Sequence, residues 1–360
     1  MVLPDSYRVE WAESLPPEEA RRLGGPPLAN MAGFAAFSTK KTQLLFAEVL
    51  RGDRRVCLAP VVRLRRRKAT DMLRQPLRRW LGLLFGPLAY KTTLLLDTAF
   101  MAYHAGSPFC CEEGVDREGV KRAVAAFLKK QRRTDTVWIT EPEGESAWAE
   151  EAGFDRFRTL PMVHVDVTGC GSLDDYTARL SKKRRRNCRT ERERFESAGA
   201  TIEFVEGPFD GDVAEEMLGC LAASAEKSTL TVPYNDVLTH PDAFRAQQQF
   251  GLVARLDGKM IGFMSFIESG GLLMQCHGGL DYIRSTEVQA YHNLIYAAIG
   301  LAIERGCDRL SMGPLNNETK RRAGTDLLPM AACLWNKNPV DTLVARKLFI
   351  RNFQVYSGEV

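Results

Sequence analysis

A chain of 360 residues is long for one hydrophobic core and sufficient for two. With 45% hydrophobic and 26% charged residues it has an ordinary globular composition, which excludes a disordered or fibrous chain. The net charge of +4 excludes a uniform polyelectrolyte, although the cations are clustered rather than spread.

The first residues, MVLPDSYRVEWAESL, carry acids and no apolar core, unlike a signal peptide. Leu15-Pro16-Pro17-Glu18-Glu19 reads as a helix start, interrupted at Gly24-Gly25-Pro26-Pro27. LLFAEVL and RRVCLAPVVRL are strand-like runs joined at Arg51-Gly52-Asp53-Arg54, a hairpin signal. Residues 63–79 form a first basic block, with eight Arg or Lys against one Asp. The apolar run from Trp80 to Leu96 is too short and too interrupted to span a bilayer; it reads either as a buried strand pair or as a surface lip over a greasy substrate. From Val120 to Lys130 an amphipathic helix places Val120, Val124, Phe127 and Leu128 on one face, and TVWIT follows as a strand ended by Pro142.

Nine cysteines, an odd count, show no C-x-x-C pair and no Cys/His spacing suited to zinc, and the adjacent Cys110-Cys111 is a poor ligand pair. A reduced, cytoplasmic protein without a metal is expected.

The second half repeats the order of the first. Leu160 to Val167 alternates as a strand, and Ser172-Leu173-Asp174-Asp175 fits a capped helix start. One helix is expected over 173–198. It carries the second basic block, with eight cations and two acids from Ser181 to Arg194. Arg189–Glu193 and Arg192–Glu196 have ion-pair spacing, whereas Lys182 to Arg186 are five adjacent cations without a nearby acid. They suit either a solvated face or a bound anion: a phosphate, a nucleotide carrier or RNA. LVARL and MIGFMSFIE then flank the turn Asp257-Gly258-Lys259, and GLLMQCHGGL is the next strand. A helix over 287–305 buries Val288, Tyr291, Ile295, Ala298, Ile299 and Ala302, ends at Gly306, and leads into a strand from Asp308 to Met312. Setting Val49 against Ala254, and Asp135 against Asp308, brings the two halves into register. The fold class is therefore α/β (α+β), with two repeats of one unit built on a mainly antiparallel sheet. The expected boundaries are 1–160 and 161–340, with 341–360 as a C-terminal helix or tail.

Candidate chemistry gathers late in the chain. Lys320 and Gly324 follow the Gly313-Pro314 strand end; Lys320 is placed to hold an oxyanion or a donor phosphate, although a solvated loop lysine has the same spacing. His277, Asp281 and Glu268 are candidate bases, and Tyr291, with Tyr282 and His292, a candidate proton donor. His277, Asp281 and Tyr291 each have a plainer alternative: a packed histidine, a turn cap and a core tyrosine. The pair Gly278-Gly279 suggests a bulge or the close approach of another backbone, with N–H groups open to a carbonyl, or simply a strand end.

The stretches YTARLSKKRRRNCRTERERFESAG, ARLDGKMIGFMSFIE, LLMQCHGGLD and YHNLIYAAIGLAIERGCDRLSMGPLNNETKRRAG together resemble the Fem-like branch of the GNAT acyltransferase superfamily. The resemblance covers roughly 170–330; residues before it match in element order alone. It implies two tandem GNAT-like repeats, with the active site in the second, and N-acyl transfer to a primary amine, the acceptor being a small molecule. It also implies that Lys320, of a Lys-x-x-x-Gly with Gly324, lies in the catalytic pocket, and that Arg185, Arg186 and Arg189 are the nearest matches to residues facing the acceptor. The chain departs from the GNAT coenzyme-A loop, Arg/Gln-x-x-Gly-x-Gly/Ala, because Arg284-Ser285-Thr286-Glu287-Val288-Gln289 has no glycine. Acyl-CoA is the leading donor. Aminoacyl-tRNA, held by blocks 63–79 and 182–194, is its rival, as in the Fem-type peptidyltransferases. A non-catalytic GNAT-like binding module is the alternative from another class.

Overall fold

The computed structural model describes residues 7–13, 15–16, 18–23, 25, 28, 39, 41–68, 90–97, 107–209, 211–227, 249–314, 317–343 and 346. Residues 69–79 of the first basic block and Trp80–Ala89 of the apolar run lie outside them. The described residues divide into two compact units. One comprises those within Met1–Pro161 and Pro329–Val360, the other those within Met162–Ser228 and Thr239–Leu328.

The first unit contains β1 (Tyr7–Trp11), β2 (Thr42–Arg51), β3 (Arg54–Lys68), β4 (Tyr90–Asp97), β5 (Cys110–Cys111), helix α1 (Arg117–Lys129) and β6 (Thr136–Pro142). The order is β1-β2-β3-β4-β6, closed by Met330–Asn336 of β13 (Asp326–Asn336) against β6; β5 pairs with β3. All neighbours are antiparallel except β4 and β6, which α1 connects as a parallel pair. Val120, Val124 and Leu128 of α1 pack on Val49, Val61, Leu94 and Ile139. The hairpin expected at Gly52-Asp53 forms, with Gly52 at φ +63°, and Arg63–Lys68 of the basic block belong to β3. Beneath α1, Lys121 Nζ donates to Glu141 Oε2 at 2.6 Å and Trp148 Nε1 donates to Glu141 Oε1 at 2.5 Å.

The second unit runs from the end of β7 (Asp155–Asp166) through α2 (Leu173–Ala178), α3 (Lys182–Ser197), β8 (Thr201–Glu206), α4 (Gly211–Lys227), β9 (Phe250–Leu256), β10 (Lys259–Ser269), β11 (Leu272–Leu280), α5 (Tyr282–Glu287), α6 (Ala290–Glu304), β12 (Arg309–Ser311) and α7 (Asn317–Arg321). Its order is β7-β12-β11-β10-β9-β8, again antiparallel except for one pair, β11 with β12, bridged by a long helix. β6 starts at Thr136 and β12 at Arg309, the register read from the sequence, and the two halves share one strand order. The expected fold of two α/β repeats is borne out.

The core of this unit lies between the sheet and α6. Leu294, Ile295 and Ile299 are fully buried there, and each contributes roughly 1.5–3 kcal/mol. On the other face α4 places Met217 and Cys220 against Val253 and Phe263.

One expected helix is broken in two, and a second starts later than expected. The helix expected over 173–198 divides because the Ser181 side chain accepts from Arg184 N–H and starts α3 afresh. The helix expected over 287–305 begins at Ala290, because Gln289 takes a left-handed φ of +59° and separates α6 from α5. All nine cysteines are free thiols.

Candidate functional site

β11 and β12 share only the pairs Leu272–Arg309, Leu273–Leu310 and Met274–Ser311. Past them β11 stays on β10 as far as Leu280. The chain after β12 stays on β7 instead: Met312 N–H donates to Val163 O at 2.9 Å, and Val163 N–H to Gly313 O at 3.2 Å. The two parallel strands therefore diverge at their carboxyl ends. Such a wedge leaves strand-edge groups unpaired and is where open α/β sheets receive ligands.

Lys320 stands on the β12 side of this wedge. Its ammonium donates to the carbonyl of Met312 and is 3% exposed. A carbonyl compensates only part of the lost hydration, so burial lowers the Lys320 pKa to about 7. Gly324 fixes the segment that carries it. Gly324 has φ +90°, and a Cβ there would overlap Leu180 Cδ2. Tyr176 of α2 donates to Ala323 O at 2.7 Å and holds the same segment. Tyr176 was not singled out in the sequence; its only signal was an apolar position following a capped helix start.

The other side of the wedge is β11. Ser265 opposes His277 while Phe266 opposes Gln275, so Cys276 is the extra residue of a β-bulge. Asp281 N–H donates to Ile261 O at 3.0 Å. Antiparallel alternation then directs Gly279 N–H to β10 and turns those of Gly278 and Leu280 away from it. Ser224 Oγ of α4 accepts the Leu280 N–H at 3.0 Å, and by the same alternation the Gly278 N–H points to the β12 side of β11. Gly279 serves packing: a Cβ would lie 2.5 Å from the carbonyl carbon of Cys220 in α4. Close approach of another backbone is present at Gly279, whereas the bulge lies at Cys276, before the glycine pair, and the pair stands near the end of β11.

His277 is not beside Lys320. It shares with Ser265, Phe263 and Val253 the face that α4 covers, whereas α7 touches α6 on the opposite face. His277 N–H donates to Ser265 Oγ at 3.2 Å, and burial lowers the imidazole to about 4. It is neutral at physiological pH and a weak base. Asp281 caps α5, accepting from Ile283 N–H at 3.0 Å and from Arg284 N–H at 3.3 Å. Tyr291 is half-buried against the α6 core, its ring edge-on to that of His292. Burial lowers the His292 pKa, which nearby Glu191 opposes and Arg322 reinforces.

The arginines of α3 divide by role. Arg185 Nη1 donates to Ala178 O at 3.0 Å and Leu180 O at 2.7 Å, closing the end of α2. Arg189 pairs with Glu193 at 3.7 Å as its spacing predicts. Arg192 lies 3.9 Å from Asp174, where Glu196 was expected as its partner. Lys182, Lys183, Arg184 and Arg186 are exposed, and no side-chain bond joins them to another described residue. Beside them runs an open groove of about 620 Å³ whose walls include Arg186 and Arg189 together with Asp174 and Glu193. Glu191 joins α3 to α6, accepting from Tyr296 Oη at 2.6 Å through its side chain and from Asn293 Nδ2 at 3.1 Å through its carbonyl. Among the described residues no three His, Cys, Asp or Glu side chains gather as a metal site, and no helix is long and apolar enough to cross a membrane.

No known sequence family matches the chain, and no curated protein sequence is significantly similar to it. Solved structures are similar over nearly its whole length. FemX is 10% identical with a TM-score of 0.58, over 93% of this chain and 99% of that one. L-PGS from Bacillus licheniformis is 15% identical with a TM-score of 0.57, over 92% and 95%. A tandem GNAT protein from the clavulanic acid biosynthesis pathway, solved without AcCoA, is 14% identical with a TM-score of 0.51, over 93% and 99%. The chain has the tandem GNAT fold.

Proposed function

We propose that this protein is an N-acyltransferase that moves an acyl group from a pantetheine thioester, acyl-CoA in the first instance, to a primary amine. The observation that carries the reading is Lys320: a lysine buried against the Met312 carbonyl at the carboxyl end of two diverging strands, where burial lowers its pKa to about 7. An amine acceptor arrives as an ammonium ion and must lose a proton before it attacks. Lys320 in its free-amine form accepts that proton and returns it to the departing thiolate, and the attacking nitrogen loses its second proton to solvent as the amide forms. The Gly278 N–H, on the β12 side of β11, donates to the acyl oxygen as negative charge develops there. The unpaired edges of β11 and β12 suit an extended arm carrying amides, which is what pantetheine presents. The helix α5 and the left-handed Gln289 occupy the place of a glycine-rich diphosphate loop, so the arm rather than the nucleotide carries donor recognition.

A second donor is favoured by one specific observation. The exposed cations Lys182, Lys183, Arg184 and Arg186 lack partners among the described residues, which suits the phosphates of an aminoacyl-tRNA. The experiment that tests both incubates the protein and Lys320→Met with acetyl-CoA, longer acyl-CoAs and charged tRNA against a panel of primary amines, and follows each activated bond by mass spectrometry. Amine-dependent loss of a thioester, reduced at least a hundredfold in Lys320→Met, is the expected result. Loss confined to charged tRNA would replace the donor. Equal rates in both proteins would remove Lys320 from the chemistry.

A further inference from the structure

The first unit holds a pair of thiols that the proposed transferase reaction does not use. Cys57 of β3 opposes Cys111 of β5. The neighbouring pair, Val56 and Glu112, is hydrogen-bonded, Glu112 N–H donating to Val56 O at 2.9 Å. Antiparallel alternation makes Cys57 and Cys111 the next, non-hydrogen-bonded pair, where Cα atoms are about 4.5 Å apart and side chains approach most closely. That separation lies within the roughly 4.4–6.8 Å that a disulfide spans. The two Sγ atoms are 3.1 Å apart. Cys110 opposes Leu58, and strand alternation turns its side chain to the opposite face, so it does not compete for Cys111.

The two thiols are unequal. Cys57 is fully buried, whereas Cys111 is partly exposed and is the one a small oxidant reaches. The hydrogen bond shared with Cys57 lowers the Cys111 pKa against the effect of burial, and Arg117 and Lys121 add to the lowering; burial and the same bond raise that of Cys57. Thiolate character and access thus coincide at Cys111, with a second thiol in contact behind it.

We propose that Cys111 and Cys57 are a peroxide-responsive pair in which Cys111 is oxidised first and Cys57 resolves it into a disulfide joining β5 to β3. The Cys111 thiolate attacks a hydroperoxide; the O–O bond breaks, the alcohol leaves with a proton, and Cys111 becomes a sulfenic acid. The Cys57 sulfur then attacks Cys111 Sγ, the S–O bond breaks, and water leaves with the Cys57 proton. Two thiols and one hydroperoxide give one disulfide, one alcohol and one water. A dithiol reductant reverses the pair to thiols by exchange.

The test is peptide mapping under non-reducing conditions after brief exposure of the reduced full-length protein to a few equivalents of hydrogen peroxide. The expected product is a Cys57–Cys111 linked peptide pair, with two fewer free thiols, restored by dithiothreitol. In Cys57→Ala, dimedone labels Cys111 as a persistent sulfenic acid; in Cys111→Ser, Cys57 stays reduced; in Cys110→Ser, the link still forms. A Cys110–Cys111 link, any other pairing, or a reduced Cys111 under conditions that oxidise the partly exposed Cys170 or Cys276 would overturn the proposal.

Discussion

Burial shifts Lys320 toward its free-amine form, and this has a consequence for stability with a definite sign. Its pKa is about 7 in the folded chain and near the usual lysine value of 10.5 when unfolded. Between these values the unfolded chain binds more protons, so stability rises with pH across that window. The full cost of burying the charge is present below about pH 7. The slope reaches about 1.4 kcal/mol per pH unit, and Lys320→Met removes it; urea unfolding of both proteins between pH 6 and 10 checks this. Gly324→Ala is a second residue-scale test. It combines a strained φ with an overlap on Leu180 and is expected to cost about 1–3 kcal/mol, with a matching fall in the denaturation midpoint. The spacing of Lys320 to Gly324 was visible in the sequence, but the burial was not. It depends on the Met312 carbonyl and on Tyr176, a residue 144 positions before Lys320. In the same way His277 occupies its expected place near the end of a strand, yet the bulge at Cys276 and the cover of α4 decide which face it takes.

At the scale of elements, local signals were the most legible. Gly52 at φ +63°, Asp257 at +51° and Gly258 at +73° supply the backbone that tight hairpins demand, and both hairpins form where these residues occur. The Ser172 cap is similarly local, its Oγ accepting from Asp175 N–H at 3.1 Å. The break at Ser181 was less legible, because the run of arginines that follows has strong helix propensity on either side of it. The clamp of α3 on α6 was not legible at all, since it links residues about a hundred positions apart. Glu191→Ala removes the carboxylate acceptor of the Tyr296 hydroxyl, leaving it the weaker Cys188 sulfur, and is expected to destabilise the protein by about 1–3 kcal/mol in chemical denaturation. In the first unit, Lys121→Met strands the Glu141 carboxylate, which burial already disfavours. The expected cost is about 3–5 kcal/mol by the same measurement.

The molecule as a whole repeats one strand order twice, and each copy contains a single parallel pair bridged by a long helix. The repeat was legible as element order because hairpin, helix and strand recur at matching intervals. The wedge was not, because it is defined by where pairing stops, and β12 pairs with a strand that precedes it by well over a hundred residues. Charge is distributed at this scale too. A chain of net charge +4 whose groove mixes Asp174 and Glu193 with its arginines is expected to turn over acyl-CoA with little dependence on salt. Turnover of charged tRNA would instead fall steeply between low and moderate salt, and more shallowly after replacing Lys182, Lys183, Arg184 and Arg186 with Gln. The most direct measurement of the central claim needs neither donor nor acceptor. It is a nuclear magnetic resonance titration of the lysine side-chain carbons in isotope-labelled protein, with Lys320 assigned by its loss in Lys320→Met. A lysine signal that titrates near pH 7 and vanishes in that variant is the predicted result. Titration of every lysine near or above pH 10 would contradict the account.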